Sequence, residues 1–259
     1  MSVFRPTQVQ LSQITFSELK KAGPSKTSYI NYQNAQTGKQ QRLIVQFPKM
    51  FAPFGASYYN PDNTPISEKM PKYNVQLSLD EKVKGVADFV KLLSGLDKIV
   101  KKRALKNKDW KKQLPKGLDE AGLKYCYKQV IKASGNEKYA DSVNTKVPID
   151  WNNKQPLLQL YGKNKDKLDV TFETIENLLP KLSELKGLVQ ISNVWFVSQK
   201  FGITLKIIQG MVYPRETLTG FSLLDDTDDE GSDNEQEESE EDEEEEEEVE
   251  VETDDEDDE

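Results

Sequence analysis

Residues 187–213 read GLVQISNVWFVSQKFGITLKIIQGMVY. β-Branched and aromatic side chains recur at alternate positions through most of this stretch, the period of a pleated strand with one buried face. Two long strands, 187–198 and 203–213, are expected around a tight Gln199-Lys200-Phe201-Gly202 segment, which makes them a hairpin. Upstream, residues 72–79 place Tyr73, Val75, Leu77 and Leu79 on one face and Lys72, Asn74, Gln76 and Ser78 on the other, so they form a second half-buried strand. Residues 28–33 and 42–47 are further strand candidates, bounded by the turn material Thr37-Gly38 and Pro48.

From Glu81 the period changes. Val86, Phe89, Leu93, Leu96 and Val100 fall at three-and-four spacing opposite Lys84, Asp88, Lys91, Lys98 and Lys102, which predicts an amphipathic helix. Its basic end, Lys101-Lys102-Arg103, suits the negative pole of the helix dipole. The end runs into a lysine-rich loop, 106–117, that contains Trp110. KKRALK at 101–106 also has the composition of a nuclear-import patch. A helix end exposed to water or DNA explains it more simply.

Residues 123–132 are expected as a strand with Tyr125 and Tyr127 on one face and Lys124, Lys128 and Lys132 on the other. Residues 133–153 are expected as loop. Short strands follow at 156–161 and 168–172 around Gly-Lys-Asn-Lys, and 175–185 could be a short helix interrupted by Pro180.

Charge divides the chain in two. Of 45 acidic residues, 26 lie in 225–259, which has no Lys or Arg, so residues 1–224 carry 35 basic against 19 acidic side chains, a net +16. A basic body attracts polyanions, and an attached acidic block competes for the same surface. Residues 1–224 are long enough to bury a core, with 1–25 expected as a flexible N-terminal arm. Residues 225–259 have almost nothing apolar to bury and are expected to be a disordered tail.

The composition excludes much chemistry. His is absent and Cys126 is the single cysteine, which removes the usual metal ligands, an internal disulfide and the commonest catalytic base. Adjacent carboxylates occur in the body only at Asp80-Glu81 and Asp119-Glu120, and no glycine-rich phosphate loop is present. No enzyme activity and no cofactor are expected. The first ten residues lack an apolar segment, and no apolar run reaches membrane-spanning length. An intracellular protein without a membrane role is the expectation.

Single-stranded nucleic acid requires a basic groove that follows phosphates and aromatic faces on which bases stack. The aromatic candidates are Trp195 and Phe201, which flank the hairpin turn beside Lys200, and Trp110 among Lys106, Lys108, Lys111 and Lys112. Trp195 alternates with Ile191 and Val197 and is equally readable as core; Tyr73 is read as core. Lys72, Lys124, Lys128, Lys206 and Arg42 complete the expected DNA-binding set.

The order of these pieces resembles a known family. A strand at 73–79 running into a helix from Glu81, then LKYCYK from Leu123, the hairpin VWFVSQKFGITLKIIQ at 194–209 and a final acidic tail are similar to the T-odd-phage type of single-stranded DNA-binding protein. The likeness is to the branch found in nucleocytoplasmic large DNA viruses. It is sharpest at Trp195, Phe201, Gly202 and Gln209. It implies a mainly β body: an OB-fold, a five-stranded Greek-key barrel, with the amphipathic helix inserted between strands. It also implies sequence-independent binding of single strands in viral DNA replication, recombination and repair, at replication sites in the cytoplasm or nucleus of an infected cell. In that family the tail competes with DNA and docks on replication proteins such as a polymerase, helicase or primase, and it supports homodimers. Family tails commonly end in an aromatic residue, whereas this one ends Asp257-Asp258-Glu259.

Two other readings remain open at this stage. A histone-chaperone-like or assembly protein would use its acidic tail on basic partners, although it would not need a basic body. A double-stranded DNA architectural protein would present a helix or a wedge to a groove.

Overall fold

The computed structural model describes residues 2–34, 37–58 and 70–215. The acidic tail at 225–259 lies outside the described residues. Eight elements carry the architecture: β1 (Ser25–Gln33), β2 (Gln40–Ala52), β3 (Ala56–Ser57), β4 (Asn74–Ser78), α1 (Val86–Lys106), β5 (Ser142–Lys146), β6 (Ser183–Val197) and β7 (Lys200–Tyr213).

Their pairing defines the barrel. β2 runs antiparallel to β6 and β6 antiparallel to β7; β7 then lies parallel to β5, β5 antiparallel to β4, and β4 antiparallel to β3. Because β3 continues β2 after a three-residue turn at 53–55, the ring returns to its first strand. The turn needs Gly55, whose φ is +57°, and a Cβ there would sit 2.3 Å from the Leu179 carbonyl oxygen. One parallel pairing among antiparallel neighbours forces a crossover between β5 and β7. With five strands this is the Greek-key OB barrel. α1 is inserted between β4 and β5, as expected.

Inward residues of the barrel and one face of α1 make a single core. Val86, Phe89, Leu93, Leu96 and Val100 are all fully buried, as their spacing predicts. Phe47 of β2 meets Phe89 with ring centroids 6.3 Å apart. Tyr73, Val75, Leu77 and Leu79 are also core.

Several expectations need correction. Residues 2–25 are no loose arm: Val3 and Phe4 pair with Ile44 and Val45 of β2, Ile14–Phe16 pairs with β1, and the Leu11 side chain fills the space over Gly95 of α1. Apolar residues spaced along the segment, Phe4, Val9, Leu11, Ile14 and Phe16, tie it down. The 123–132 segment is not one strand. Leu123–Cys126 is a helical turn, followed by two-residue strands at Tyr127–Lys128 and Ile131–Lys132. Tyr125 and Tyr127 consequently part company, the first exposed and the second buried. The polar stretch 133–153 contains β5, a central barrel strand. The hairpin turn is Ser198-Gln199, both residues with positive φ (46° and 61°), as a two-residue turn of this kind requires. Lys200, Phe201 and Gly202 already belong to β7. Helix Ile175–Leu178 is a single turn that ends before Pro180.

Candidate nucleic-acid interface

β6 changes faces midway along its length. Leu185, Val189 and Ile191 point inward at odd positions, whereas Val194 and Phe196 point inward at even ones. The switch is a bulge, seen as a register shift between Ile191 and Asn193 against β7. A bulge inserts one residue and so exchanges the two sides of a strand. Trp195 is thereby carried out of the core to a half-buried position. Its ring rests on the Gly202 backbone opposite, where a Cβ would come within 2.9 Å of Trp195 Cζ2.

On the same outer face, one row of paired residues crosses four strands: Asn74 of β4, Lys146 of β5, Lys206 of β7 and Gln190 of β6. Lys146 and Lys206 are direct partners, and like charges placed opposite each other are unfavourable. Crowding by the surrounding walls strips part of the water from Lys146 and lowers its pKa. The ammonium groups of Lys128, Lys72 and Lys206 lower it further. None of these four lysines forms an ion pair among the described residues. Such a cluster is stabilised by an anion.

Two open troughs meet at Lys146. The first, about 1340 Å³, runs beneath the basic end of α1 and the 123–132 segment. Its described lining includes eight lysines, Trp195 and one acid, Glu120. The second, about 1120 Å³, runs toward β1 and the 147–159 segment and has no acid among its described lining residues. Both exceed the range usual for small-molecule pockets, roughly 300–1,000 Å³. Their size and openness suit a polymer.

The walls are fixed by buried polar contacts. The Tyr127 hydroxyl donates to Asp97 of α1 at 2.5 Å, and the Val130 amide donates to the same carboxylate at 3.4 Å. Burial raises the Asp97 pKa, while the Tyr127 hydroxyl, the Val130 amide and the Lys101 charge pull it back. The opposite wall is a small hairpin, Ile149–Asp150 paired with Gln155–Pro156. Asp150 accepts from the amides of Asn152 and Asn153, which orders the tip carrying Trp151.

The sequence-predicted residues divide accordingly. Trp195, Lys106, Lys124 and Lys128 line the first trough, and Arg42, Lys72 and Lys206 line the second. Lys108, Lys111, Lys112 and Lys200 are exposed but line neither, and Lys112 is paired with Asp109. Trp110 and Phe201 do not present ring faces to a ligand, being 1% and 0% exposed. Trp110 packs edge-on against Phe16 and Phe196, and Phe201 stacks on Phe196 at an interplanar angle of 4°. The lysines around Trp110 concealed an apolar anchor at the end of α1. The exposed rings lining the second trough, which the sequence reading leaves out of the DNA-binding set, are Trp151, 63% exposed, and Tyr29, 44% exposed. Trp151 had a visible signal, since it stands in the wholly polar run Asp150-Trp151-Asn152-Asn153-Lys154. Lys146 was missed with its strand.

No family model matches the sequence. An uncharacterized protein of Acanthamoeba polyphaga mimivirus is 23% identical over 181 residues, which are 69% of this chain. The chain spans 27% of that protein's length. Among solved structures, the single-stranded DNA-binding protein gp2.5 of bacteriophage T7 aligns over 77% of this chain and 100% of its own, with TM-score 0.44 and 16% identity. That of bacteriophage Enc34, in complex with single-stranded DNA, aligns over 80% and 99%, with TM-score 0.41 and 9% identity.

Proposed function

We propose that this protein binds single-stranded DNA without regard to sequence along the two joined troughs. The observation that carries this reading is the lysine cluster Lys72, Lys128, Lys146 and Lys206, without an ion pair among the described residues, at the junction of the troughs and beside the half-buried ring of Trp195. Lysines neutralise phosphates whatever the base, and ring faces accept any base. A duplex is disfavoured by the same geometry. The basic side chains and Trp195 line recessed troughs between elements rather than one projecting helix face that could enter a duplex groove.

The acidic segment 225–259 is proposed to compete with DNA for the basic body and, once displaced, to recruit replication proteins. Its charge supports this, as does the resemblance to the viral single-strand binders. Action in viral replication, recombination and repair, and dimer formation, belong to the same proposal. A labelled unstructured oligonucleotide titrated with the protein, then competed with unlabelled single strand or duplex, tests the central claim. Single strand should compete at far lower concentration. Equal competition by duplex would overturn it.

A further inference from the structure

The troughs differ in chemistry on either side of Lys146. The first is dominated by its eight lysines, with the half-buried ring of Trp195 and the carboxamides of Gln76, Gln129 and Asn144 among them. The second keeps five cations, Lys146 included, and adds the exposed rings of Tyr29 and Trp151 with the carboxamides of Asn31, Gln159, Gln190 and Gln209. None of these last four carboxamides makes a side-chain hydrogen bond among the described residues. They come from four separate segments: β1, the strand Gln159–Tyr161, β6 and β7. Gln159 and Gln209 are register partners across the parallel pairing of two strands.

Carboxamides carry both donors and acceptors and are uncharged. They match base edges, which also mix donors and acceptors, and they contribute nothing to neutralising phosphate. Tyr29 and Trp151 supply the ring faces that stacking needs, and Trp151 is held at an ordered hairpin tip. We infer that the second trough is a base-binding subsite: an unstacked segment of the strand turns its bases toward Tyr29, Trp151 and the carboxamides, while the lysine trough holds mainly phosphates. This presupposes the single-strand function above. It adds a division of labour along one strand, with Lys146 as the phosphate contact at the crossing. Because an amide can serve any base edge in one of its orientations, the subsite raises affinity for bases in general and selects weakly among them.

The test compares two labelled strands with equal numbers of phosphates, oligo(dT) and an abasic strand of the same length, bound to the full chain at one salt concentration. Trp151→Ala and the double variant Gln190→Ala with Gln209→Ala should each weaken oligo(dT) binding by about tenfold, the scale of one lost stack. Abasic binding should change by less than about twofold under the same sequence-independent electrostatics. Lys124→Ala with Lys128→Ala should weaken both strands by similar factors and preserve their ratio. If the Trp151 and glutamine variants weaken both strands equally, the second trough holds phosphates and the inference fails. If they change neither, the strand does not enter that trough, and the inference fails while single-strand binding stands. If the unaltered protein binds neither strand, the proposed function itself fails. Unchanged far-UV circular dichroism and melting temperature in each variant exclude misfolding as the cause.

Discussion

Trp195 and Trp110 should answer the same substitution in opposite ways. Trp195→Ala removes a half-buried ring above Gly202 and should weaken single-strand binding by about 1–3 kcal/mol with little change in stability. Trp110→Ala and Phe201→Ala empty sites in a packed aromatic cluster and should cost about 3–5 kcal/mol of stability. Urea denaturation alongside DNA titration separates the two classes; equal destabilisation by all three would place Trp195 in the core after all. From sequence, Trp195 was ambiguous because strict alternation aligns it with Ile191. A bulge at Ser192 carries no compositional mark, so the outward turn of the ring could not be read. Lys146 permits a pH test. Its lowered pKa means that the free protein loses this proton below the ordinary lysine range, whereas bound phosphates favour keeping it. Affinity should therefore begin to fall, with proton uptake on binding, at a pH below the ordinary lysine value of 10.5. Lys146→Arg, which stays charged, should flatten that decline. A slope unchanged by the substitution would remove Lys146 from the contact.

The wall segment Tyr127–Val130 depends on α1 through one carboxylate. Tyr127→Phe leaves buried Asp97 without its shortest partner and should destabilise the body by about 1–3 kcal/mol, while loosening Lys128 beside it. The raised pKa of Asp97 gives a second signature. A carboxyl whose native pKa lies above its unfolded value, here 3.8, contributes stability that is full below that value and is lost as pH rises through the native one. Asp97→Asn has no such titration. Its melting temperature relative to the unaltered protein should therefore improve as pH climbs from about 3 through this window; a constant difference would contradict the assignment. Elements with strong apolar periodicity, α1 and the strands around 72–79 and 187–213, were legible because burial imposes that periodicity directly. β5 was not. In Ser142-Val143-Asn144-Thr145-Lys146 only Val143 is apolar, and buried Thr145 satisfies its hydroxyl on the Val75 carbonyl. A central strand whose outer face lines a polar trough has no reason to look hydrophobic. The 123–126 turn was misread because Tyr and Lys alternate there, although the alternation does not sort them by face.

At the scale of the whole molecule, charge is the quantity that the sequence reports most directly, since it needs no knowledge of register. A body of +16 facing a polyanion should release counterions on binding. Affinity for an unstructured oligonucleotide should fall linearly on a log-log plot against salt, with a slope of about −0.7 per phosphate neutralised. The acidic segment adds a second, opposing dependence. On the proposed competition, the segment is joined to the body through its own chain at an effective concentration on the order of millimolar, enough for even weak attraction to compete at basic sites. DNA would then have to displace it. Removing residues 225–259 should therefore tighten single-strand binding at low salt. The gain should shrink as salt shortens the range of attraction, from about 30 Å at 0.01 M to about 8 Å at 0.15 M. The two effects have different signatures: tail removal changes the vertical separation of the two plots, whereas phosphate contacts set the slope shared at high salt. A basic-partner chaperone would behave otherwise, losing its ligand with the tail and gaining nothing for DNA. Superimposed plots for the full chain and a folded 1–224 fragment would refute competition and leave the DNA-binding proposal in place. A flat salt dependence for both would refute electrostatic binding along the troughs.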